Sequence, residues 1–157
     1  MNDIITKGPF MGREKDTQSS TGNIGVNPGL GLGVNPRLGL YKEILDYYST
    51  LHFIKADGSY NLETVVSYTT NILIKHGLVN TNDIQQCAGI WIYPKEYFCP
   101  MDILSKKLHK TDKTHSIHHF NGSWLPLYAK INLKIKQLIG KKMTCIIQRG
   151  LANLKNI

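Results

Sequence analysis

The sequence predicts an α/β domain, because segments with helically spaced apolar residues alternate along the chain with short β-rich segments. The chain has 157 residues, 41% hydrophobic and 19% charged, a balance typical of a globular domain with its own core. The predicted strands are few and short. We therefore expect an incomplete sheet with several helices over residues 1–140, resembling the latter half of a larger α/β domain, and a basic amphipathic tail over residues 141–157.

The first forty residues are predicted to be irregular. Met1 to Thr21 lacks apolar periodicity and is interrupted by Gly8-Pro9, so we expect a loop. Residues 25–40 hold a near-duplication, GVNPGLGL followed by GVNPRLGL. Each Asn-Pro pair should start a turn, because the residue before proline avoids the helical conformation. The glycines suit either two turns packed beneath a helix or a phosphate cradle, and no Walker or GxGxxG motif is present.

Two helices are predicted in the middle of the chain. Apolar residues at three- and four-residue spacing predict the first from Leu40 to Phe53. Ser59 or Asn61 should cap the second, which runs to about His76 with Gly77 as its C-terminal stop. Many residues of the second helix are β-branched, so it should depend on tertiary packing.

A short buried strand is predicted from Cys87 to Tyr93, because this segment is apolar and β-rich. Alternation would place Ile90 and Ile92 on one face and Trp91 and Tyr93 on the other. A proline-bracketed aromatic loop follows over residues 94–100 (PKEYFCP), and residues 101–113 should be irregular.

A final helix is predicted to open at Pro126, since proline is favoured at the first turn of a helix. Apolar residues recur along it at helical spacing, with lysines between them. These apolar residues are Leu127, Ile131, Ile135, Leu138 and Ile139.

The stretch from Thr114 to Trp124, THSIHHFNGSW, concentrates chemically active side chains. Its first part, to Phe120, is partly β-branched and predicts a strand in which His118 and His119 point to opposite faces. Asn121-Gly122 should end that strand, because both residues tolerate positive φ. The residues that follow would then lie in a loop at a strand end, where pockets of α/β folds form.

These side chains suit a cation and a diphosphate. A neutral imidazole is a good ligand for a divalent cation. Donors to phosphate oxygens are available from the Asn121 amide, the Gly122 N–H and the Ser123 hydroxyl, and the Trp124 indole is a further donor. A cation and several donors together stabilise a departing diphosphate. The alternative is a buried strand whose histidines bond the backbone and whose tryptophan fills the core.

The charge of the chain favours anionic partners. Its net charge is +8 and its pI about 9.4, which suits nucleoside diphosphates, anionic membrane surfaces or nucleic acid. The positive charge is concentrated in the last 28 residues, at Lys130, Lys134, Lys136, Lys141, Lys142, Arg149 and Lys155. Such a run is either a solvated face or a membrane-binding surface.

Cysteine usage favours a reducing compartment. Cys87, Cys99 and Cys145 are odd in number, widely spaced and without a CxxC motif, so neither a disulfide framework nor a zinc knuckle is expected. No secretory signal begins at Met1 and no apolar run reaches the length of a membrane span. We expect a cytoplasmic protein, with peripheral attachment to the inner face of the membrane as the alternative.

Several motifs, taken in order, resemble one family. They are the glycine loop, LGLYKEILDYY, HFIKADGS, IWIYPKEYFCP and THSIHHFNGSW, which together span residues from about Gly8 to Leu138. This order resembles the C-terminal half of the bacterial DXD-containing sugar transferases, the capsular and surface polysaccharide glycosyltransferases related to the fungal initiating mannosyltransferases. The pair YPKEYFCP and IHHFNGSW carries most of the specificity.

The resemblance implies the C-terminal portion of a GT-A fold and a retaining transfer of a sugar from a nucleotide-sugar donor. The acceptor would be a saccharide or a lipid-linked saccharide. It also implies a divalent cation, Mn²⁺ with Mg²⁺ as the alternative. A histidine late in the chain would complete the coordination shell of this cation. The pattern H-aromatic-x-G fits His119, Phe120 and Gly122, so His119 is preferred to His118 as the ligand. Ser123 and Trp124 would donate to the diphosphate.

The chain departs from this family in lacking any Asp-x-Asp. Its aspartates are Asp3, Asp16, Asp46, Asp57, Asp83, Asp102 and Asp112. Because hard cations prefer carboxylate oxygens, a lone histidine would hold the metal poorly. We therefore expect a truncated member of the family, inactive alone, which comes from a split gene, a degraded gene or a fragment. In the case of a split gene, its N-terminal half would lie on another chain.

Two other interpretations remain open. One is a binding module in which His109, His115, His118 and His119, with the lysines, bind metal or nucleic acid. The irregular spacing of these histidines argues against a zinc site, and the lack of interleaved aromatics in the tail argues against single-stranded nucleic acid. The other is a basic peripheral membrane protein without catalysis, anchored through residues 127–155.

Overall fold

The computed structural model describes residues 2–15, 24–102, 105–122, 125–132, 134–135 and 137–138. Two compact units contain them. Unit 1 is Met1–Pro100 with Thr111–His118, and unit 2 is Met101–Lys110 with His119–Ile157. The predicted tail over 141–157 lies outside the described residues. The elements of unit 1 are α1 (Asn2–Lys7), β1 (Phe10–Lys15), β2 (Gly25–Gly33), α2 (Gly39–Ser49), α3 (Val65–Lys75), β3 (Gln85–Cys87), β4 (Ile90–Tyr93) and α4 (Lys95–Phe98).

The described strands of unit 1 form one mixed sheet in the order β2-β1-β4-β3. Strand β1 pairs antiparallel with β2 and parallel with β4, and β3 and β4 form an antiparallel hairpin. Strand β1 therefore has a partner on each side. Met11 and Arg13, which point to the same face of this strand, are fully buried. The prediction of an α/β domain is confirmed.

The prediction of a loop over residues 1–21 is wrong for the part that the structure describes. Helix α1 and strand β1 occupy it, and Gly8-Pro9 lies between them. Both elements are six residues long, too short for a periodic pattern to stand out. They are held by burial instead, with Ile4 3% and Phe10 6% exposed.

The second Asn-Pro pair starts a turn, as predicted, whereas the first lies within strand β2, so the turn predicted there is wrong. Asn27 accepts a hydrogen bond from the N–H of Gly29 at 2.8 Å through its side chain. Residues 28–31 bulge out of β2, because Leu32 pairs with Met11 while Asn27 pairs with Gly12, the next residue of β1. The second pair leads into the turn at residues 36–37 that precedes α2.

The predicted strand from Cys87 to Tyr93 is a hairpin. Ala88 and Gly89 form its two-residue turn, with φ of 50° and 78°. Two successive positive φ values are what a tight hairpin requires, and alanine gives little warning of them. Ile90 and Ile92 both lie in the main core, so the predicted inward face of this segment is confirmed.

Helix α2 confirms the first helical prediction but ends at Ser49, four residues before the predicted end. The chain after it folds back in a small exposed hairpin, where Ile54 pairs with Tyr60 and the ring of Phe53 stacks on that of Tyr60. The predicted continuation of the helix to Phe53 is therefore wrong.

Helix α3 begins later than predicted, at Val65, and its cap is neither Ser59 nor Asn61. The Thr64 hydroxyl caps it by accepting from the N–H of Ser67. The predicted stop at Gly77 is confirmed, with φ of 89°. The N–H groups of Gly77 and Leu78 donate to the carbonyls of Ile74 and Leu73, a Schellman motif that satisfies the end of the helix.

The main core lies between one face of the sheet and helices α2 and α3. Apolar side chains from all these elements meet there: Met11, Ile24, Val26, Leu40, Ile44, Ile72, Leu73, Leu78, Cys87, Ile90 and Ile92. Arg13 is also fully buried and donates to the carbonyls of Thr81 and Asp83, which ties the loop before β3 to β1. The opposite face of the sheet carries the elements of the candidate site.

In unit 2 the helix predicted to open at Pro126 is confirmed. Residues 127–132, 134–135 and 137–138 are helical. The N–H groups of Ala129 and Lys130 donate to the Pro126 carbonyl, as expected for proline at a helix start. Residues 101–102 and 105–113 are mostly irregular, as predicted, apart from an isolated bridge between Met101 and Leu108.

Candidate functional site

An aromatic layer covers the face of the sheet opposite the main core. We define it as Phe10, Tyr93, Tyr97, Phe98 and His115. The ring of Phe98 stacks on Phe10 with centroids 5.5 Å apart and meets Tyr93 edge-on at 6.0 Å. The imidazole of His115 lies 6.0 Å from the Tyr97 ring and 6.3 Å from Phe98. One member of the THSIHH motif therefore joins rings contributed by β1, β4 and α4.

The glycines of β1 and β2 make room for this layer. A Cβ built on Gly12 would lie 2.7 Å from Cδ2 of Phe98, and one on Gly31 would lie 3.1 Å from Cδ1 of the same ring. A Cβ on Gly33 would lie 2.4 Å from Cε1 of Phe10. Part of the glycine repeat is thus explained by close packing against aromatic rings.

Residues 114–118 run along the layer without forming a strand, so the predicted strand over Thr114–Phe120 is wrong. Their polar groups bond α4 and its flanks instead of a β-ladder. The N–H of His115 donates to the Tyr97 carbonyl at 2.8 Å, and the Thr114 hydroxyl donates to the Glu96 carbonyl at 2.9 Å. The Ser116 hydroxyl makes longer bonds, at 3.4 Å, to the carbonyls of Leu30 and Phe98.

An ion pair reinforces this junction. Lys113 Nζ lies 3.1 Å from a carboxylate oxygen of Glu96. The hydrogen bond to Glu96 and its negative charge raise the pKa of Lys113. The two motifs singled out in the sequence, residues 94–100 and 114–118, are therefore joined by backbone bonds, ring contacts and an ion pair.

The motif continues into unit 2 through a sharp reversal of the backbone. Phe120 has φ of 51° and Gly122 has φ of 55°, whereas Asn121 between them is outside the left-handed region. There is no strand for Asn121-Gly122 to end, but Gly122 has the positive φ predicted for this pair, and Phe120 has it in place of Asn121. A Cβ on Gly122 would also lie 2.7 Å from Cδ1 of Leu125, which would have to shift, so both the φ value and this contact favour glycine here.

Lys106 holds this reversal and was missed in the sequence. Its Nζ donates to the carbonyls of His119 and Phe120, at 3.1 Å each. Its own backbone is left-handed, with φ of 55°, in a turn where Asp102 accepts from the N–H of Ser105. The only hint was an Asp-x-x-Ser-Lys-Lys run in a segment expected to be irregular.

The predicted site residues fall in both units. His118 is half-buried and belongs to unit 1, whereas His119 and Asn121 are exposed and belong to unit 2 with Gly122. Ser123 and Trp124 lie outside the described residues. His119, Asn121 and Gly122 are thus placed on one reversal of the chain.

The described residues do not fit a metal ion by themselves. Among them, no group of three or more His, Cys, Asp or Glu side chains could hold one. A single exposed imidazole does not supply the oxygen ligands that hard cations prefer. Any metal chemistry at His119 would need carboxylates from outside the described residues.

A separate cleft of about 510 Å³ opens in unit 1 between α3 and the start of β2. Thr70 lines it while accepting the N–H of Val26 at 2.9 Å, so its hydroxyl is already used structurally. The remaining lining residues are Ile24, Gly25, Glu63, Val66, Ser67, Asn71, Ile74, Leu78 and Asn80. The sequence did not predict this cleft, and none of the predicted site residues lines it.

No protein-family model, no curated protein and no solved structure matches this chain. Within the part of the chain that the structure describes, no helix combines the length and apolar character that crossing a bilayer requires.

Proposed function

We propose that this chain is the C-terminal portion of a GT-A type glycosyltransferase. It would act in a metal-dependent, retaining transfer of a sugar from a nucleotide-sugar donor to a polysaccharide or lipid-linked acceptor. One observation carries the proposal. The two motifs on which the family resemblance depends, residues 94–100 and 114–118, pack directly on each other, and the N–H groups of His115 and Ser116 both donate to the Tyr97 carbonyl. The mixed sheet of an α/β domain lies beneath them, which is compatible with such a fold.

The reversal at residues 119–122 supports a role in binding the donor diphosphate. Its φ values are positive at Phe120 and Gly122 but not at Asn121. A right-handed residue followed by a left-handed one turns successive N–H groups toward one side of the chain, where they can bind an anion, and in this proposal Asn121 and Gly122 form such a pair. The Asn121 amide is exposed beside them, and Ser123 and Trp124 follow directly in sequence. In this proposal these groups stabilise negative charge on the leaving diphosphate.

His119 is the proposed ligand to the cation, in preference to His118. It is exposed, and its carbonyl is held by Lys106, so its backbone position is defined while its imidazole stays accessible. The acidic ligands would come from polypeptide outside these 157 residues, since no Asp-x-Asp occurs in them. We assign no catalytic step to the metal in this chain alone.

Binding of nucleoside diphosphates tests the proposal. We expect calorimetry on the 157-residue chain to detect binding of UDP or GDP that strengthens with Mn²⁺ and is lost in His119→Ala. His52→Ala is the matched control, because His52 is an exposed histidine of unit 1 outside both motifs. If no nucleoside diphosphate binds with or without Mn²⁺, or if both variants bind like the wild type, the proposed donor site is wrong.

Lys106 provides a sharper test of the reversal. Lys106→Met removes the two bonds to the carbonyls of His119 and Phe120, and we expect diphosphate binding to weaken about tenfold. Lys107→Met removes the same charge from the neighbouring residue, whose Nζ has no such bonds described. If both variants lose the same amount of diphosphate affinity, Lys106 acts through its charge alone and not through its bonds to the two carbonyls.

A turnover assay tests whether this chain needs a second polypeptide for activity. We expect no sugar transfer or donor hydrolysis by the chain alone, because the carboxylates needed for the cation are missing. Activity should appear only when a polypeptide that carries a DXD motif and the nucleotide-binding strands is added. Turnover by the purified chain would contradict this.

A further inference from the structure

The helix of unit 2 leaves its apolar side chains in solvent. We call its described residues, 127–132, 134–135 and 137–138, the basic helix. Five of its apolar side chains are between 47% and 88% exposed: Leu127, Tyr128, Ile131, Ile135 and Leu138. Helix α3 behaves in the opposite way, since its Ile72 and Leu73 are 4% and 0% exposed. The basic helix therefore carries an apolar stripe that the described part of the chain does not cover.

The stripe is continuous along the helix. At 3.6 residues per turn, the five apolar side chains fall within an arc of about 100°. Lys134 and Lys130 flank one side of this arc, and Asn132 flanks the other. Lysines at the border of an apolar stripe can bury their methylene stems while their ammonium groups reach outward.

The charge of the chain is concentrated around the same helix. Seven of the 19 Lys and Arg residues lie in residues 125–157, and none of the 11 Asp and Glu residues does. Residues 1–124 consequently carry 12 basic and 11 acidic side chains, close to neutrality. The apolar stripe is thus located in a strongly cationic part of the sequence that contains no acidic residue.

We propose that the basic helix docks this chain onto a bilayer surface rich in anionic phospholipid. The apolar stripe would insert at the boundary between headgroups and acyl chains, and the lysines would pair with lipid phosphates. This association goes beyond the proposed sugar transfer and does not depend on it.

Two other occupants fit the surface less well. Nucleic acid would neutralise the lysines but would leave the apolar stripe in water, because phosphate contacts make no use of it. A second copy of the helix could cover the stripe but would bring two strongly cationic segments together, which is unfavourable. Of these three occupants, the anionic bilayer is the one that uses both the stripe and the charge.

Co-sedimentation of the full chain with vesicles tests the proposal. We expect binding to phosphatidylcholine vesicles with roughly one third phosphatidylglycerol, much weaker binding to pure phosphatidylcholine, and loss of binding at about 0.5 M salt. Neutralising Lys130 and Lys134 by substitution with glutamine should weaken binding about fivefold for each lysine.

The decisive variant removes the stripe and keeps the charge. Leu127→Gln/Ile131→Gln/Leu138→Gln should weaken vesicle binding on the order of a hundredfold. The matched control changes three exposed apolar residues of unit 1, Leu45→Gln/Ile54→Gln/Leu62→Gln, and should bind like the wild type; these residues are 61–79% exposed. Circular dichroism is the folding control, and we expect both variants to give the wild-type spectrum because all six substituted positions are exposed.

Three results would overturn the proposal. Unchanged vesicle binding in the stripe variant would show that the apolar side chains do not insert. Tighter binding to random duplex DNA than to vesicles, unaffected by the stripe variant, would identify a nucleic-acid surface. A wild-type dimer that does not bind vesicles and becomes monomeric in the stripe variant would identify the stripe as a contact between copies.

Discussion

Replacing Gly12 with alanine tests the close contact on which the aromatic layer rests. The new methyl group would lie 2.7 Å from Cδ2 and 3.2 Å from Cβ of Phe98. Phe98 is 1% exposed and its ring is stacked on Phe10 at 5.5 Å, so it has no free space to move into. Overpacking of this kind costs about 1–3 kcal/mol, and we expect about 2–3 kcal/mol because the clash reaches the Cβ end of the side chain.

Thermal and urea unfolding measure this cost. For a chain of this length we expect a fall in Tm of about 4–12 °C, together with a weakened near-UV circular dichroism signal from the displaced rings. Gly39→Ala is the matched control, because a Cβ there meets nothing within 4 Å and Gly39 is the first residue of α2. We expect that variant to be neutral or more stable by about 0.5–1 kcal/mol.

A double-mutant cycle identifies the clash. Phe98→Leu removes the aromatic ring, so Gly12→Ala should cost clearly less in that background than in the wild type. The reasoning is refuted if Gly12→Ala is no more destabilising than Gly39→Ala, or if its cost is the same with leucine at position 98.

Three further predictions concern buried polar groups. Thr70→Val should lower the free energy of unfolding by about 1–3 kcal/mol in urea, because it leaves the buried N–H of Val26 without its hydrogen-bond acceptor. Thr69→Val should be neutral or stabilising, since the Thr69 hydroxyl has no partner among the described residues. Equal costs of the two substitutions would contradict this. Burial raises the pKa of Tyr41 from 10.0 to about 12, so the unfolded state loses its proton first and the free energy of unfolding should fall as pH rises from 10 towards 12. Tyr41→Phe should reduce that fall, and an unchanged alkaline profile would show that Tyr41 is not its source. Burial also raises the pKa of Cys99 to about 12, so mass spectrometry should find this thiol unlabelled by Ellman's reagent at about pH 8 until denaturant is added; labelling in the native state would contradict its burial.

Local sequence signals predicted the features that neighbouring residues determine. The centre of α2, the stop at Gly77, the turn at the second Asn-Pro pair and the helix start at Pro126 were all predicted. Each follows from conformational preferences of a few adjacent residues. The end of α2 and the cap of α3 were misplaced, because several nearby residues can serve equally well and tertiary contacts select among them.

Short elements were missed because burial, rather than periodicity, holds them in place. Strand β1 was expected to be a loop, yet it is one of the two central strands of the sheet, with a partner on each side. The hairpin turn at Ala88-Gly89 was hidden inside an apolar run that resembles a single strand. Neither error could be corrected without knowing which strands pair.

In the candidate site, too, the sequence determined some features and the tertiary structure determined others. The sequence by itself determined which groups are available there, namely the imidazoles, the Asn121 amide and the flexible Gly122, and it also determined the separation of charge along the chain. Tertiary structure decided how they are held, because the anchors are distant in sequence: the Tyr97 carbonyl for His115 and the Lys106 ammonium for His119 and Phe120. The glycines of β1 and β2 acquired their role in the same way, since an aromatic ring contributed by α4 lies where their side chains would be.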